Sequence, residues 1–143
     1  MKDKYNVVID TNVLVSAILS KESDSPVVKV LNLLFANEIQ LFYNDDIMNE
    51  YKDVLHRKKF SFDTSLIKYI IDAIEENGIK VIAEKIDIEL MDEKDKPFYE
   101  LVMDESIKDG KLITGNTRHF PSHTKIVTPR EFIEIYESNK MKN

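Results

Sequence analysis

Three features of the sequence predict an α/β fold built on a parallel sheet. Short apolar runs that end abruptly alternate with longer helical stretches, as in strands that return through crossover helices. The run Val7-Val8-Ile9 is continuous and β-branched rather than alternating, which suits a strand covered on both faces. The chain has only 3 Gly and 4 Pro, and they fall where elements should break.

The elements follow in order. YNVVID reads as the first strand, and NVLVSAILS, apolar all round, as a buried helix directly after it. In SDSPVVKVLNLLFANE, Ser25 stands as N-cap and Pro26 at the first helical position. The apolar part of this helix, Pro26–Phe35, reads as core in preference to a dimer interface. IQLFY is the second strand. NDDIMNEYKDVLHRKK begins with Asn44 as cap and with Asp45 and Asp46 in the first turn, and it ends in basic residues, so both charge biases favour the helix dipole. DTSLIKYIIDAIEEN is a helix closed by Gly78, and IKVIA a third strand. DKPFYELVMDESIKDG is a helix capped by Asp95 and stopped by Gly110. KLITG is the fourth strand, KIV a short fifth, and TPREFIEIYESN a last helix with Thr128 as cap and Pro129 at its first position.

The length of 143 residues fits a single domain over 1–143, with a tail at 138–143 that is expected to be disordered. At 43% hydrophobic the chain can bury a core. With no cysteine, neither a disulfide nor a thiolate metal site can form. No apolar stretch approaches the ~20 residues of a membrane span, and MKDKYN leads straight into a strand without the pattern of a signal peptide. A soluble cytoplasmic protein with no membrane partner is expected. The net charge of −6 argues against a nucleic-acid ligand, since such proteins are more often basic. The argument weakens if several acids gather around a cation, because the ion then changes the charge a substrate meets.

In open α/β sheets, ligands bind beyond the carboxyl ends of the strands. Asp10 lies at such an end, and so does Thr114-Gly115-Asn116. Asp10 could cap the next helix, but a carboxylate following Val-Val-Ile is largely buried and needs a partner or a metal. Glu50 sits at the edge of the stripe Ile47, Tyr51, Val54 and Leu55, where a glutamate could equally reach past the core to water. Asp95 is well placed as an N-cap, yet lies three residues before Phe98 on the apolar face. Asp92 could join it as an outer ligand or face solvent. Asn116 could accept a contact through its amide oxygen, and Gly115 would let the backbone turn tightly there. A lone histidine, His119 reads as a packing or phosphate-side residue rather than a ligand. Converging, three carboxylates and an amide would make an all-oxygen site for Mg²⁺ or Mn²⁺, whereas zinc would prefer His or Cys.

Taken together, VVIDTNVLVSAIL, NDDIMNEYKDVL, MDEKDKPFYELV and KLITGNTRHFP resemble the PIN domain family, with the strongest similarity to a prokaryotic group described as toxin components of toxin–antitoxin pairs. The resemblance runs from about Tyr5 to Ile133. It implies a three-layer α/β/α sandwich with a five-stranded parallel sheet, and metal-dependent endoribonuclease activity on single-stranded RNA. Asp10, Glu50 and Asp95 match the family's acids and would hold the metal and carry catalysis. Asn116 falls where many members have a fourth aspartate, a departure that leaves one or two ions open. Asn12 matches a recurrent polar residue that holds the Asp10 loop or reaches a ligand. Thr114, Arg118 and His119 are further candidate substrate contacts, while Lys111 and Lys125, placed near the same sheet end, read first as ordinary solvated charge. The family also implies a cognate antitoxin protein and a homodimer as candidate partners.

Two other functions compete with this one. A catalytically weakened domain of the same fold would bind RNA or protein without cutting. A haloacid-dehalogenase-type phosphatase needs Asp-x-Asp at the first strand end, where this chain has Asp10-Thr11-Asn12. A nucleotide-cradling domain lacks its Gly-rich loop.

Overall fold

A computed structural model of the chain describes residues 4–90 and 92–141. Strand β1 (Tyr5–Ile9) is followed by helices α1 (Thr11–Leu19) and α2 (Pro26–Phe35), then β2 (Ile39–Tyr43). Helices α3 (Asp45–Leu55) and α4 (Thr64–Asn77) lead to β3 (Ile79–Lys80). A 3-10 turn (Glu93–Asp95) runs into α5 (Lys96–Val102), β4 (Lys111–Ile113), β5 (Ile126–Val127) and α6 (Pro129–Met141). The five strands form one parallel sheet in the order β3-β2-β1-β4-β5.

The order has a consequence for the site. The chain steps outward from β1 to β3, then returns to lay β4 on the other side of β1. The strand order therefore reverses between β1 and β4, which opens a crevice at their carboxyl ends. Because right-handed crossovers in opposite directions put their helices on opposite faces, the sheet is covered on both sides. On one face α2 packs against α1, α4 and α6; α5 lies against β1 and β4. Val7, Val8 and Ile9 are at most 1% exposed, as their unbroken β-branched run requires.

Local chemistry explains most boundaries. Asn44 accepts a hydrogen bond from Ile47 N at 2.8 Å, and Asp63 caps α4 through Ser65 N at 2.7 Å. Thr128 and Glu131 exchange hydrogen bonds with each other's backbone amides, a capping box behind Pro129. Gly78 does end α4, but at φ −82 rather than in the left-handed region. Its role is close approach: a Cβ there would stand 2.5 Å from Ile74 O and 2.9 Å from the Tyr43 ring.

Three expectations are corrected. The third strand pairs only at Ile79 and Lys80 instead of reaching Ala83. Val81 N still reaches Tyr43 O, the last residue of β2, and beyond it the chain is drawn onto α5: Glu84 N bonds Asp104 and Ile86 N bonds the buried Glu100. The helix expected to run to Gly110 stops at Val102, because Asp104 takes hydrogen bonds from the amide and hydroxyl of Ser106 and so competes with a further turn. The tail expected at 138–143 begins inside α6, which runs to Met141; positions 142 and 143 lie outside the described residues.

Candidate active site

Register brings the first two parts of the site together. Ile9 pairs with Ile113, and Asp10 N extends the ladder to Ile113 O at 2.9 Å, so Asp10 lies beside Thr114. The Thr114 hydroxyl donates to Asp10 Oδ2 at 2.7 Å, and it accepts from Asn116 N at 3.0 Å. Thr114 has no exposed surface and Asp10 is 5% exposed. Thr114, expected as a substrate contact, is thus a buried residue that orients Asp10.

Asp10 occupies the N-cap position of α1, yet its side chain makes no capping hydrogen bond. Asp95 occupies the corresponding position of α5 and also leaves it uncapped; Asp95 Oδ2 instead lies 3.2 Å from His119 Nδ1. Asp95 does not serve the structural role its position offers, whereas the Thr11 and Asn12 amides at the start of α1 still favour the charged form of Asp10. Asp92 does serve one, accepting from Lys94 N at 2.9 Å to cap the 3-10 turn.

Glu50 is delivered by α3. Its neighbour Tyr51 is fully buried and donates its hydroxyl to Ile9 O, pinning the helix against the end of β1. Ile47, Met48 and Leu55 are buried with it, while Val54 is only half-buried. Thr11, the residue after Asp10, donates its hydroxyl to Glu50 Oε2. Thr11 and Tyr51 were not singled out as site residues from sequence. Their adjacency to Asp10 and Glu50 was the available signal.

Each of the three acids feels the charge of another. Burial raises the pKa of Asp10 above the ordinary carboxylate value; the Thr114 bond offsets part of this, and the charge of Asp95 adds to the rise. Glu50 is raised by burial and by the charges of Asp10 and Asp92, against the Thr11 bond and Lys94. Asp95 is raised by burial and by Asp92 and Glu50, against its bond to His119. The Tyr51 hydroxyl is held protonated by burial and by the charges of Asp10 and Glu50. The acids therefore repel one another across a partly desolvated crevice. Among the described residues, no three His, Cys, Asp or Glu side chains form a ready-made metal cage. The donor chemistry nonetheless fits a hard cation. Each acid gives one oxygen to a hydroxyl or imidazole and keeps another, and their mutual repulsion is what a divalent ion would relieve.

The other candidates separate. Asn12 Oδ1 faces Gly115 N at 3.4 Å and spans the loops after β1 and β4. Asn116 is exposed, and its backbone meets the partners of two acids: its amide donates to Thr114 and its carbonyl accepts from His119 N. The chain bends at Gly115 without a left-handed backbone. Arg118 is exposed beside His119. Lys111 opens β4 and Lys125 precedes β5, which puts both at the amino end of the sheet, away from Asp10. Lys111 Nζ bonds Thr124 O at 3.0 Å.

A search of curated proteins finds no match. A model of the PIN domain family matches residues 6–118, a span that contains Asp10, Glu50, Asp95 and Asn116 together with every strand of the sheet but β5. With this match over most of its length, and with a five-stranded parallel sheet between layers of helices, the chain belongs to the PIN domain family.

Proposed function

We propose that the protein is a metal-dependent endoribonuclease that cleaves single-stranded RNA and serves as the toxin of a toxin–antitoxin pair. The family is generally one of nucleases, which supports hydrolysis of a phosphodiester. The observation that carries the reading is the placement of Asp10 by Thr114 and of Glu50 by Thr11 at the strand-order reversal, where burial first, and neighbouring acids second, raise the pKa values of Asp10, Glu50 and Asp95. Groups that disfavour their own charge in a cleft are candidates for function rather than for stability.

Asp10, Glu50 and Asp95 would hold Mg²⁺ or Mn²⁺, with Asp92 beyond them. When bound, such an ion acidifies a water and neutralises charge on the scissile phosphate. The chain's own residues do the positioning. Thr114, Thr11 and His119 each fix one carboxylate, so the three converge without rearranging during the reaction. Lys94, exposed and with its charge acting on Glu50, can meet a flanking phosphate, and the exposed Arg118 beside His119 is a second candidate. Asn116 adds no charge, and this favours a single tightly held ion.

The exposed amide of Asn116 also supports a second reading, a weakened domain that binds RNA without cutting. Incubating the protein with mixed RNAs in Mn²⁺, Mg²⁺ or EDTA separates the two. Cutting that needs the metal and is lost in Asp10→Asn and Glu50→Gln is expected. Equal cutting in EDTA would overturn the reading, and metal-independent binding with no cutting would establish the second.

A further inference from the structure

The turn between α3 and α4 carries a feature that the carboxylate site does not use. His56, Arg57, Lys58 and Lys59 are consecutive and exposed, and no acid follows until Asp63, in a chain whose net charge is −6. Arg57 lies 3.5 Å from Asp53, but among the described residues neither Lys58 nor Lys59 has an ion-pair partner. Directly after them, Phe60 and Phe62 stack with centroids 5.0 Å apart and planes 5° from parallel. Phe62 packs on the core, whereas Phe60 does not. Lys59 Nζ stands 5.1 Å from the centre of the Phe60 ring.

The arrangement is built, not frayed. Phe60 N bonds Arg57 O, and both the amide and the hydroxyl of Ser61 bond Lys58 O. Ser61 takes φ 51, a left-handed conformation that costs a non-glycine residue energy, and this reverses the chain so that the two rings meet. A ring backed by a second ring, with an ammonium over it, can stack a base in the ammonium's place while the lysines hold its phosphate. His56 follows α3, six residues and therefore roughly 9 Å along the helix from Glu50, which sets this turn outside the carboxylate crevice.

We infer that Lys58, Lys59 and Phe60 form a docking platform for single-stranded RNA, binding the strand on one side of the cleaved bond. The inference takes its ligand class from the ribonuclease reading. It explains how an acidic chain could hold a polyanion: the attraction is local and lies outside the carboxylate crevice.

The test uses the full chain and a labelled mixed-sequence RNA oligomer. Binding is followed by anisotropy in EDTA across a salt series, so that no chemistry is involved. Phe60→Ala should weaken binding about 5- to 100-fold. Lys58→Ala with Lys59→Ala should flatten the log–log salt slope by about 1.4, with the double arginine replacement restoring it. Cleavage of a trinucleotide too short to reach the platform should be unchanged. Unaltered melting in circular dichroism excludes a folding defect, and Phe60→Leu keeps the test open if Phe60→Ala unfolds. Wild-type affinity in all the variants would overturn the platform, as would RNA binding left intact while a protein partner is lost. If the wild type cuts RNA but the variants bind normally, only the platform fails. If the wild type binds through these residues but never cuts, only the ribonuclease reading fails.

Discussion

Replacing Thr114 by Val removes one hydroxyl from a buried position and changes little else in shape. That hydroxyl donates to Asp10 Oδ2 at 2.7 Å and accepts from Asn116 N at 3.0 Å. A hydrogen bond to a charged group contributes about 1.5–3 kcal/mol and a neutral one about 0.5–1.5 kcal/mol. Asn116 is exposed and water can replace its lost partner, so the second term falls at its low end. The expected destabilisation at neutral pH is about 2–3 kcal/mol. For a chain of this length that lowers Tm by roughly 7–10 °C. The sign of the pH dependence follows from Asp10. The Thr114 bond favours its charged form and lowers a pKa that burial has raised. The cost of the substitution should therefore be full above the folded pKa of Asp10 and shrink as pH falls through it. Urea denaturation at neutral pH and at pH about 4 measures both values, near the ordinary carboxylate range. Metal-dependent cleavage should drop with stability, and Thr114→Ser should restore both. A Val variant as stable as wild type at neutral pH, or one whose loss is the same at both pH values, would refute the role of Thr114 as the residue that holds Asp10.

Other outcomes follow from the same geometry. Glu50 has a raised pKa, so its charge is a penalty to the fold that is present above the folded pKa and absent below the unfolded value. Glu50→Gln should therefore raise Tm in metal-free neutral buffer, by the order of 1 kcal/mol or less after solvent screening, with the gain gone at low pH. A lower Tm for this variant at neutral pH would count against the repulsion. Saturating Mn²⁺ should raise the wild-type Tm, by about 2.7 kcal/mol at a hundred times Kd, and should leave Asp10→Asn unmoved; thermal melts with and without the ion decide this. His119→Ala frees Asp95 and should cut metal-dependent cleavage about 10- to 100-fold with little change in Tm, and full activity would show that Asp95 needs no such support.

Element order and the residues worth watching can be read along the chain. β-branched runs, caps such as Asn44 and Thr128, and prolines at first helical positions act over a few residues, so the string displays them. Asp10, Glu50 and Asp95 stood out for the same local reason: each was an acid where a plain core or surface residue was due. The rest depends on pairing between distant segments, which local pattern does not reveal. Placing Asp10 beside Thr114 needs the register of β1 on β4 across more than a hundred residues. Turning Asp95 to His119 rather than to its own helix needs α5 packed against the β4 loop. Lys111 and Lys125 looked close to the site in sequence, yet strand direction carries them to the far end of the sheet. The third strand and the fifth helix fell short of their patterns because Glu100 and Asp104 captured backbone groups from other segments or nearby turns. Local propensity is set by neighbours within a turn or two, whereas a site is set by which ends of which strands the packed helices allow to meet.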